Sequence, residues 1–197
     1  MATLANSTKL TRTRPPKGWS AEIDYVLIPP ARLRARVKQL ARQIQRDYAG
    51  RQLVIVPLLT GTVMFLADLI RFINLPLHLD FMGVSSYREG TVSRELVFTK
   101  ELRLDVKGRD VLIIDDILDT GRTLDAVIKR LKKLKPASIR ICVLLDKRAR
   151  RKVKVPADYI GFEIPNLFVV GYGLDFAERY RNLPFVGVLH PKFYPAA

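Results

Sequence analysis

The stretch from Val111 to Leu124, VLIIDDILDTGRTL, constrains the fold more than any other part of this 197-residue chain. Its first four residues, Val111 to Ile114, are all apolar, which suits a central parallel strand buried on both faces. Two adjacent carboxylates, Asp115 and Asp116, follow. A short loop, Asp119-Thr120-Gly121-Arg122-Thr123, then opens a helix. That helix carries Leu124, Val127, Ile128, Leu131 and Leu134, and Pro136 ends it.

The same alternation runs along the chain. Leu33, Val37, Leu40, Ile44 and Tyr48 recur at spacings of four, three, four and four, a helical stripe with Arg, Lys and Gln opposite. Gly50 is expected to stop that helix. Leu53 to Leu58 reads as a buried strand, followed by Thr60-Gly61 and an apolar helix from Val63 to Ile73. His78 to Tyr87 and Arg94 to Leu104 read as strands around a turn at Glu89-Gly90. Ile139 to Leu145 and Phe168 to Val170 read as further strands. This order predicts an α/β fold with a central, mainly parallel sheet flanked by helices. Ligands of such sheets bind at the carboxyl ends of the strands. Those ends are Thr60-Gly61, Asp115 to Gly121, Asp146-Lys147 and Leu174-Asp175, so carboxylates, glycines and a lysine share one edge.

Residues 1–22 read as a basic, flexible extension and residues 23–197 as one domain. The first 21 residues contain no acid, and Pro15-Pro16 argues against packed structure there, with Trp19 as the candidate anchor. Lys9, Arg12, Arg14 and Lys17 among Thr and Ser superficially resemble a transit peptide, but a solvated basic tail is the preferred reading. No stretch approaches the ~20 apolar residues of a membrane span. A cytoplasmic location and no membrane partner are expected.

Charge and composition narrow the chemistry. Thirty-four Lys and Arg against 19 Asp and Glu leave a net charge of +15, which favours anionic partners such as phosphate esters or nucleic acid. The single cysteine, Cys142, excludes an internal disulfide and any multi-cysteine zinc site. Two separated histidines, His78 and His190, speak against a zinc hydrolase. There is no GxxxxGK[ST] phosphate loop, and no third glycine follows Gly171-Tyr172-Gly173 to make a dinucleotide fingerprint. At the Asp119–Thr123 turn, outward backbone N–H groups can cradle an anion. Gly121 lets the backbone approach a phosphate closely, and Thr120 and Thr123 add hydroxyl donors. A helix N-cap accounts for one of these residues, but not for three carboxylates beside a glycine turn.

The stretch resembles the 5-phosphoribosyl-1-pyrophosphate (PRPP) binding motif of the type I phosphoribosyltransferases: two acids, two apolar residues, then Asp-Thr-Gly-basic-Thr. The chain is similar to the hypoxanthine (hypoxanthine-guanine) phosphoribosyltransferases in particular, in order from about Leu53 to Leu189. The similarity includes Leu59-Thr60-Gly61, FLADL at Phe65–Leu69, Ser86-Tyr87, LLDKR at Leu144–Arg148, GFEIP at Gly161–Pro165 and FVVGYGLD at Phe168–Asp175. The resemblance implies a type I phosphoribosyltransferase fold with a small hood subdomain. It also implies a purine salvage reaction that turns PRPP and hypoxanthine or guanine into IMP or GMP plus pyrophosphate. Magnesium is the implied cofactor, and a homodimer or homotetramer the implied assembly.

Site roles follow from the same resemblance. Asp115 and Asp116 hold the ribose hydroxyls and, through water, the magnesium. Thr120, Gly121, Arg122 and Thr123 grip the 5′-phosphate. Asp119 lies near purine N7 as general acid/base. Lys147 donates to the 6-oxo group, Phe168 stacks on the base, and the Val169 backbone meets its edge. Asp175 coordinates magnesium on the pyrophosphate. Arg181 and the Thr60-Gly61 loop bind the pyrophosphate. Ser86 and Tyr87 belong to a mobile loop that closes over the site.

One departure stands out: many members carry Lys where this chain has Thr60. Some members hold that peptide as a non-proline cis bond. A rival within the fold prefers xanthine or guanine. A rival of another class is an RNA-binding regulator of the same fold. Net +15 and the basic run Lys147 to Lys154 favour the regulator, whereas Asp119, Lys147, Phe168 and the FEIP stretch argue against it. Lys147 is set apart from that run by its place just past a buried strand. Arg148, Arg150, Arg151, Lys152 and Lys154 read as a solvated basic face.

Overall fold

The computed structural model describes residues 10–86 and 96–194. Strands β2 (Leu53–Leu59), β4 (Met82–Ser86), β5 (Leu96–Lys100), β6 (Asp110–Leu118), β7 (Ser138–Asp146) and β8 (Tyr159–Glu163) form one sheet in the order β5-β4-β2-β6-β7-β8. The short β3 (Leu77–Leu79) pairs with the start of β2, and β4 with its end. All these pairings are parallel except β4 with β5. A second, antiparallel sheet joins β1 (Ile23–Ile28), β10 (Val186–Leu189) and β9 (Val169–Val170) in the order β1-β10-β9. It is the small hood that the resemblance implied.

Strand period sorts the core into two layers. Leu53, Ile55, Leu112, Ile114, Cys142 and Leu144 face helices α1 (Pro30–Asp47) and α2 (Val63–Ile70). The intervening Val54, Val56, Val111, Ile113, Ile141 and Val143 face α3 (Arg122–Lys132) through Leu124, Val127 and Leu131. Strands buried on both faces carry no polar alternation, which is why they read as plain apolar runs. Cys142 is fully buried, and burial pushes its thiol pKa up. In α1, Arg36 is buried inside the apolar stripe. Its Nε and Nη2 donate to the carbonyls of Gly161 (2.9 Å) and Ile160 (2.5 Å), so it ties the helix to edge strand β8. Among the described residues, no helix is long and apolar enough to cross a membrane.

Several elements differ from the sequence expectation. Strand β6 does not stop at Ile114. It continues through Asp115 and Asp116 to Leu118, because β7 stays paired with it as far as Leu118 opposite Asp146. Helix α2 ends at Ile70, three residues early, and turns bring Ile73 into the core. The strand expected from His78 to Tyr87 is split, since Asp80 diverts the chain between β3 and β4. Tyr87 and the expected turn at Glu89-Gly90 lie outside the described residues. The expectation of an unpacked tail to residue 22 does not hold from Leu10 onward. Thr11 N–H donates to the Leu27 carbonyl (3.0 Å), and Thr13 exchanges backbone hydrogen bonds with Val26. Leu10 packs on the core, and Trp19 meets Tyr180 edge-on at 6.0 Å. The physical reason is that β1 is an edge strand of the hood, with open N–H and C=O groups that the segment satisfies. Pro15 and Pro16 lie between the Thr13 and Trp19 contacts, and Pro15 is itself buried.

Asp80 is 7% exposed and collects four donors: the N–H groups of Phe81, Arg103 and Leu104, and Lys100 Nζ at 2.9 Å. Burial works against its charge, but these donors prevail and lower its pKa to about 2. A folded pKa below the unfolded value of ~3.9 stabilises the fold above that value, and the contribution is lost as pH falls toward 2. Asp80→Asn should therefore cost about 2 kcal/mol at pH 7. The difference from the parent chain should shrink steadily between pH 4 and pH 2. Urea titrations at several pH values measure it, and a pH-independent difference contradicts the assignment.

Candidate active site

The carboxyl ends of β2 and β6, the β6–α3 loop and the segment after β9 surround a cavity of about 360 Å³. It is lined by Thr60, Gly61, Asp115, Asp116, Asp119, Thr120, Gly121, Thr123, Asp175 and Arg181, together with Arg150. Sequence positions as far apart as 60 and 181 thus meet at one sheet edge.

Asp115 and Asp116 stand on β6 itself, so their geometry is set by the sheet rather than by a loop. Asp115 is 9% exposed, and its Oδ1 accepts the Asp116 N–H (3.1 Å). Burial, and then the neighbouring Asp116 charge, raise its pKa well above the usual carboxylate range. Burial also raises Asp116, against backbone hydrogen bonds and the Arg181 charge that favour its ionised form. Such a pair is suited to binding hydroxyl donors or an approaching cation. Gly61 is fixed by the same pair: a Cβ there would fall 1.8 Å from Asp116 Oδ2. The peptide between Leu59 and Thr60 is cis, as in some members of the resembling family.

Beyond β6 the chain turns sharply into α3. Gly121 has φ +85° and, as the N-cap, offers the helix start no side chain, although the Arg122 N–H reaches Thr120 Oγ1 at 3.4 Å. The first-turn N–H groups of α3 therefore lack intrahelical partners at the cavity wall, where an anion can take them. Arg122 is exposed and does not line the cavity with its neighbours. Asp119 Oδ1 is buried without a hydrogen-bond partner. Arg150 Nε lies 3.6 Å from it, an ion-pair separation beyond hydrogen-bonding reach. At the opposite wall Arg181 Nη1 donates to the Gly173 carbonyl (2.9 Å) and forms an ion pair with Asp175 Oδ1, also at 2.9 Å.

Other expected residues lie away from the cavity wall. Lys147 is 5% exposed, and its N–H donates to the Leu118 carbonyl (3.0 Å), which ties it to the end of β6. Burial lowers its pKa, opposed by the charge of Asp119 and assisted by that of Arg150. Val169 is buried in β9 opposite Val188. Phe168 stacks on Tyr194 with ring centroids 4.5 Å apart and meets Phe176 edge-on at 5.5 Å. Ser86 ends β4, paired with Leu96.

The basic run is not uniformly solvated. Arg148 pairs with Asp146 (3.2 Å) and Glu163 (2.5 Å), Arg150 enters the cavity, and Arg151 is bound behind it. Arg148, Arg150, Lys152 and Lys154 are exposed as expected, and Arg151 is the one partly buried cation of that face. Sequence alone gave these cations no distinguishing mark. Their proximity to Asp146 at a strand end was the one available signal.

The cavity can hold several phosphate charges on backbone N–H groups and arginines, place a carboxylate pair against hydroxyls, and offer a proton a carboxylate oxygen that makes no hydrogen bond. Comparison with known proteins identifies the family. Residues 30–177 match the model of the phosphoribosyl transferase domain family. The chain is 47% identical over 174 residues to the bifunctional protein TilS/HprT of Listeria monocytogenes, covering 88% of this chain and 27% of that longer protein. It is 48% identical over 165 residues to the hypoxanthine phosphoribosyltransferase of Salmonella typhimurium, covering 82% of this chain and 93% of that one. The crystal structure of a hypoxanthine phosphoribosyltransferase from Staphylococcus aureus superposes with a TM-score of 0.86 at 44% identity, over 91% of this chain and 98% of that one. The chain belongs to the phosphoribosyltransferase family, in its hypoxanthine phosphoribosyltransferase branch.

Proposed function

We propose that this chain transfers the 5-phosphoribosyl group of PRPP to hypoxanthine or guanine, releasing pyrophosphate and yielding IMP or GMP. The observation that carries this reading is Asp119 Oδ1, buried without a hydrogen bond and held only by the 3.6 Å ion pair to Arg150, in one cavity with the Asp115–Asp116 pair and the start of α3. In the reaction the bond from ribose C1 to the pyrophosphate oxygen breaks, a bond from C1 to a purine nitrogen forms, and the base gives up a proton. Asp119 supplies the acceptor for that proton. The α3 N-terminus, with Thr120 and Thr123, holds the 5′-phosphate, and Asp115 and Asp116 hold the ribose hydroxyls. Arg181 and the Thr60–Gly61 loop receive the pyrophosphate. Thr60 brings no charge where many relatives bring Lys, so backbone donors and Arg181 carry that task.

Lys147 sets the base preference. A buried ammonium only donates hydrogen bonds, and a 6-oxo purine accepts one where adenine presents a donor. Contacts of this kind discriminate by ~10⁴ or more. Magnesium fits the site by donor chemistry. Asp115, Asp116 and Asp175 offer hard carboxylate oxygens, and no cluster of three or more ligating side chains among the described residues forms a closed cage. That pattern matches an ion bound mainly through substrate phosphates and water. When bound, it neutralises charge on the leaving pyrophosphate. We read the assembly as a homodimer or homotetramer in the cytoplasm. The RNA-binding alternative loses support, because Arg148, Arg150 and Arg151 are paired with the chain's own acids.

Product formation with PRPP and magnesium tests the reading directly. Hypoxanthine and guanine should turn over, and adenine and uracil should not; inactivity with every 6-oxopurine overturns the reading. Asp119→Asn should lower the single-turnover rate by ~10²–10⁴. Near-parental chemistry in that variant removes Asp119 from the acid/base role. Gly61→Ala should displace the Asp116 carboxylate and cost ~10² in turnover, with the folded state retained by circular dichroism.

A further inference from the structure

Behind the cavity, on the far side of the β6–α3 loop, Arg151 uses every nitrogen of its guanidinium on backbone carbonyls and one carboxylate. Nε donates to the Asp119 carbonyl (3.0 Å), Nη2 to the Leu118 carbonyl (3.1 Å), and Nη1 to the Val155 carbonyl (3.3 Å). Nη2 also binds Asp146 Oδ1, and the Asp146 side chain is only 4% exposed. The next two residues continue the clamp: the N–H groups of Lys152 (2.9 Å) and Val153 (3.0 Å) both donate to the Thr120 carbonyl. Gly121 fits closely beneath this segment, since a Cβ there would fall 2.5 Å from the Val153 carbonyl oxygen. Arg151 does not line the cavity.

We infer that Arg151 is a positioning residue for the chemical step: it fixes the Leu118–Asp119 backbone and thereby the placement of the Asp119 carboxylate, without touching substrate. The inference rests on the reading of Asp119 as general acid/base. Its physical basis is the fork geometry of guanidinium. One planar group can bind two successive carbonyls and a carboxylate at once, whereas an ammonium on a flexible stem cannot hold them in fixed directions. Two adjacent carbonyls held by one rigid group leave the intervening backbone little freedom to rotate, so the Asp119 side chain leaves that backbone in a fixed direction. A misplacement of about 1 Å in a reacting group costs ~10² in rate.

Arg151→Lys is the discriminating variant, because it keeps a positive charge beside Asp146 while removing the fork. The single-turnover rate at saturating PRPP, magnesium and hypoxanthine should fall by ~10–10², with KM for both substrates within about threefold. In an Asp119→Asn background the same substitution should change the rate by less than about twofold, because there is no longer a proton acceptor to misplace. Asp146→Asn provides a second route: it loosens the guanidinium and should lower the rate in the same direction while the fold persists. An unchanged single-turnover rate in Arg151→Lys, or a raised KM for PRPP with the rate retained, overturns the inference and assigns Arg151 to loop stability or phosphate binding alone. Full multiplicative losses in the double variant overturn it as well. If Asp119→Asn retains near-parental chemistry, the acid/base reading fails first, and the positioning role falls with it.

Discussion

Strand β6 is hydrogen-bonded on both sides, by β2 over its first half and by β7 along nearly its whole length. The site depends on this double fastening. Two adjacent carboxylates at a buried strand end repel each other and lose hydration, so a free loop would swing them into water. Here the sheet continues past them to Leu118, and they stay where the ladder puts them. Their cost in desolvation becomes useful when hydroxyls or a cation arrive. Gly61 packs against Asp116, and the helix start of α3 lines the same cavity.

Cations are distributed in two populations. Arg36, Arg151 and Arg181 are inward, each satisfying named carbonyls or carboxylates. They hold α1 to the edge strand β8, the β6–α3 loop to the segment after β7, and the Gly173–Asp175 wall of the cavity to Arg181. The larger population is exposed on helices and loops alike, some of it in surface ion pairs such as Lys129–Asp125 and Arg130–Glu101, and it supplies the general field that draws phosphate-bearing molecules toward the chain. Loss of an inward arginine should therefore act on structure or rate, whereas loss of an exposed one should act on encounter and salt dependence.

The β2–α2, β6–α3 and β7 units were legible in the sequence because buried parallel strands leave unbroken apolar runs and amphipathic helices leave stripes. The site residues on these units were legible through the motif that joins them. What was missed has a common cause. The hood strand β1 carries Asp24 and follows what reads as a tail, and β8 is five residues containing a glycine; neither has a period long enough to register. Strand β6 ran on through its acids because of pairing, which composition does not record. Asp80 broke a continuous strand by collecting donors from Arg103 and Leu104, more than 20 residues away. Arg150 and Arg151 look like Lys152 in any count of charge. Only the path of the chain turns Arg150 into the cavity and Arg151 against the back of the β6–α3 loop.

The pairing of Thr11 and Thr13 with β1 has a consequence for how separate molecules meet. An open edge strand is a template for another chain, and β1 would be such an edge, with β10 on its other side. The N-terminal segment occupies that template with its own backbone, so the hood has no bare rim there for a stranger's strand to join. A chain trimmed through Thr13 would expose it, and the first symptom would be self-association through the hood rather than a change in chemistry at the cavity.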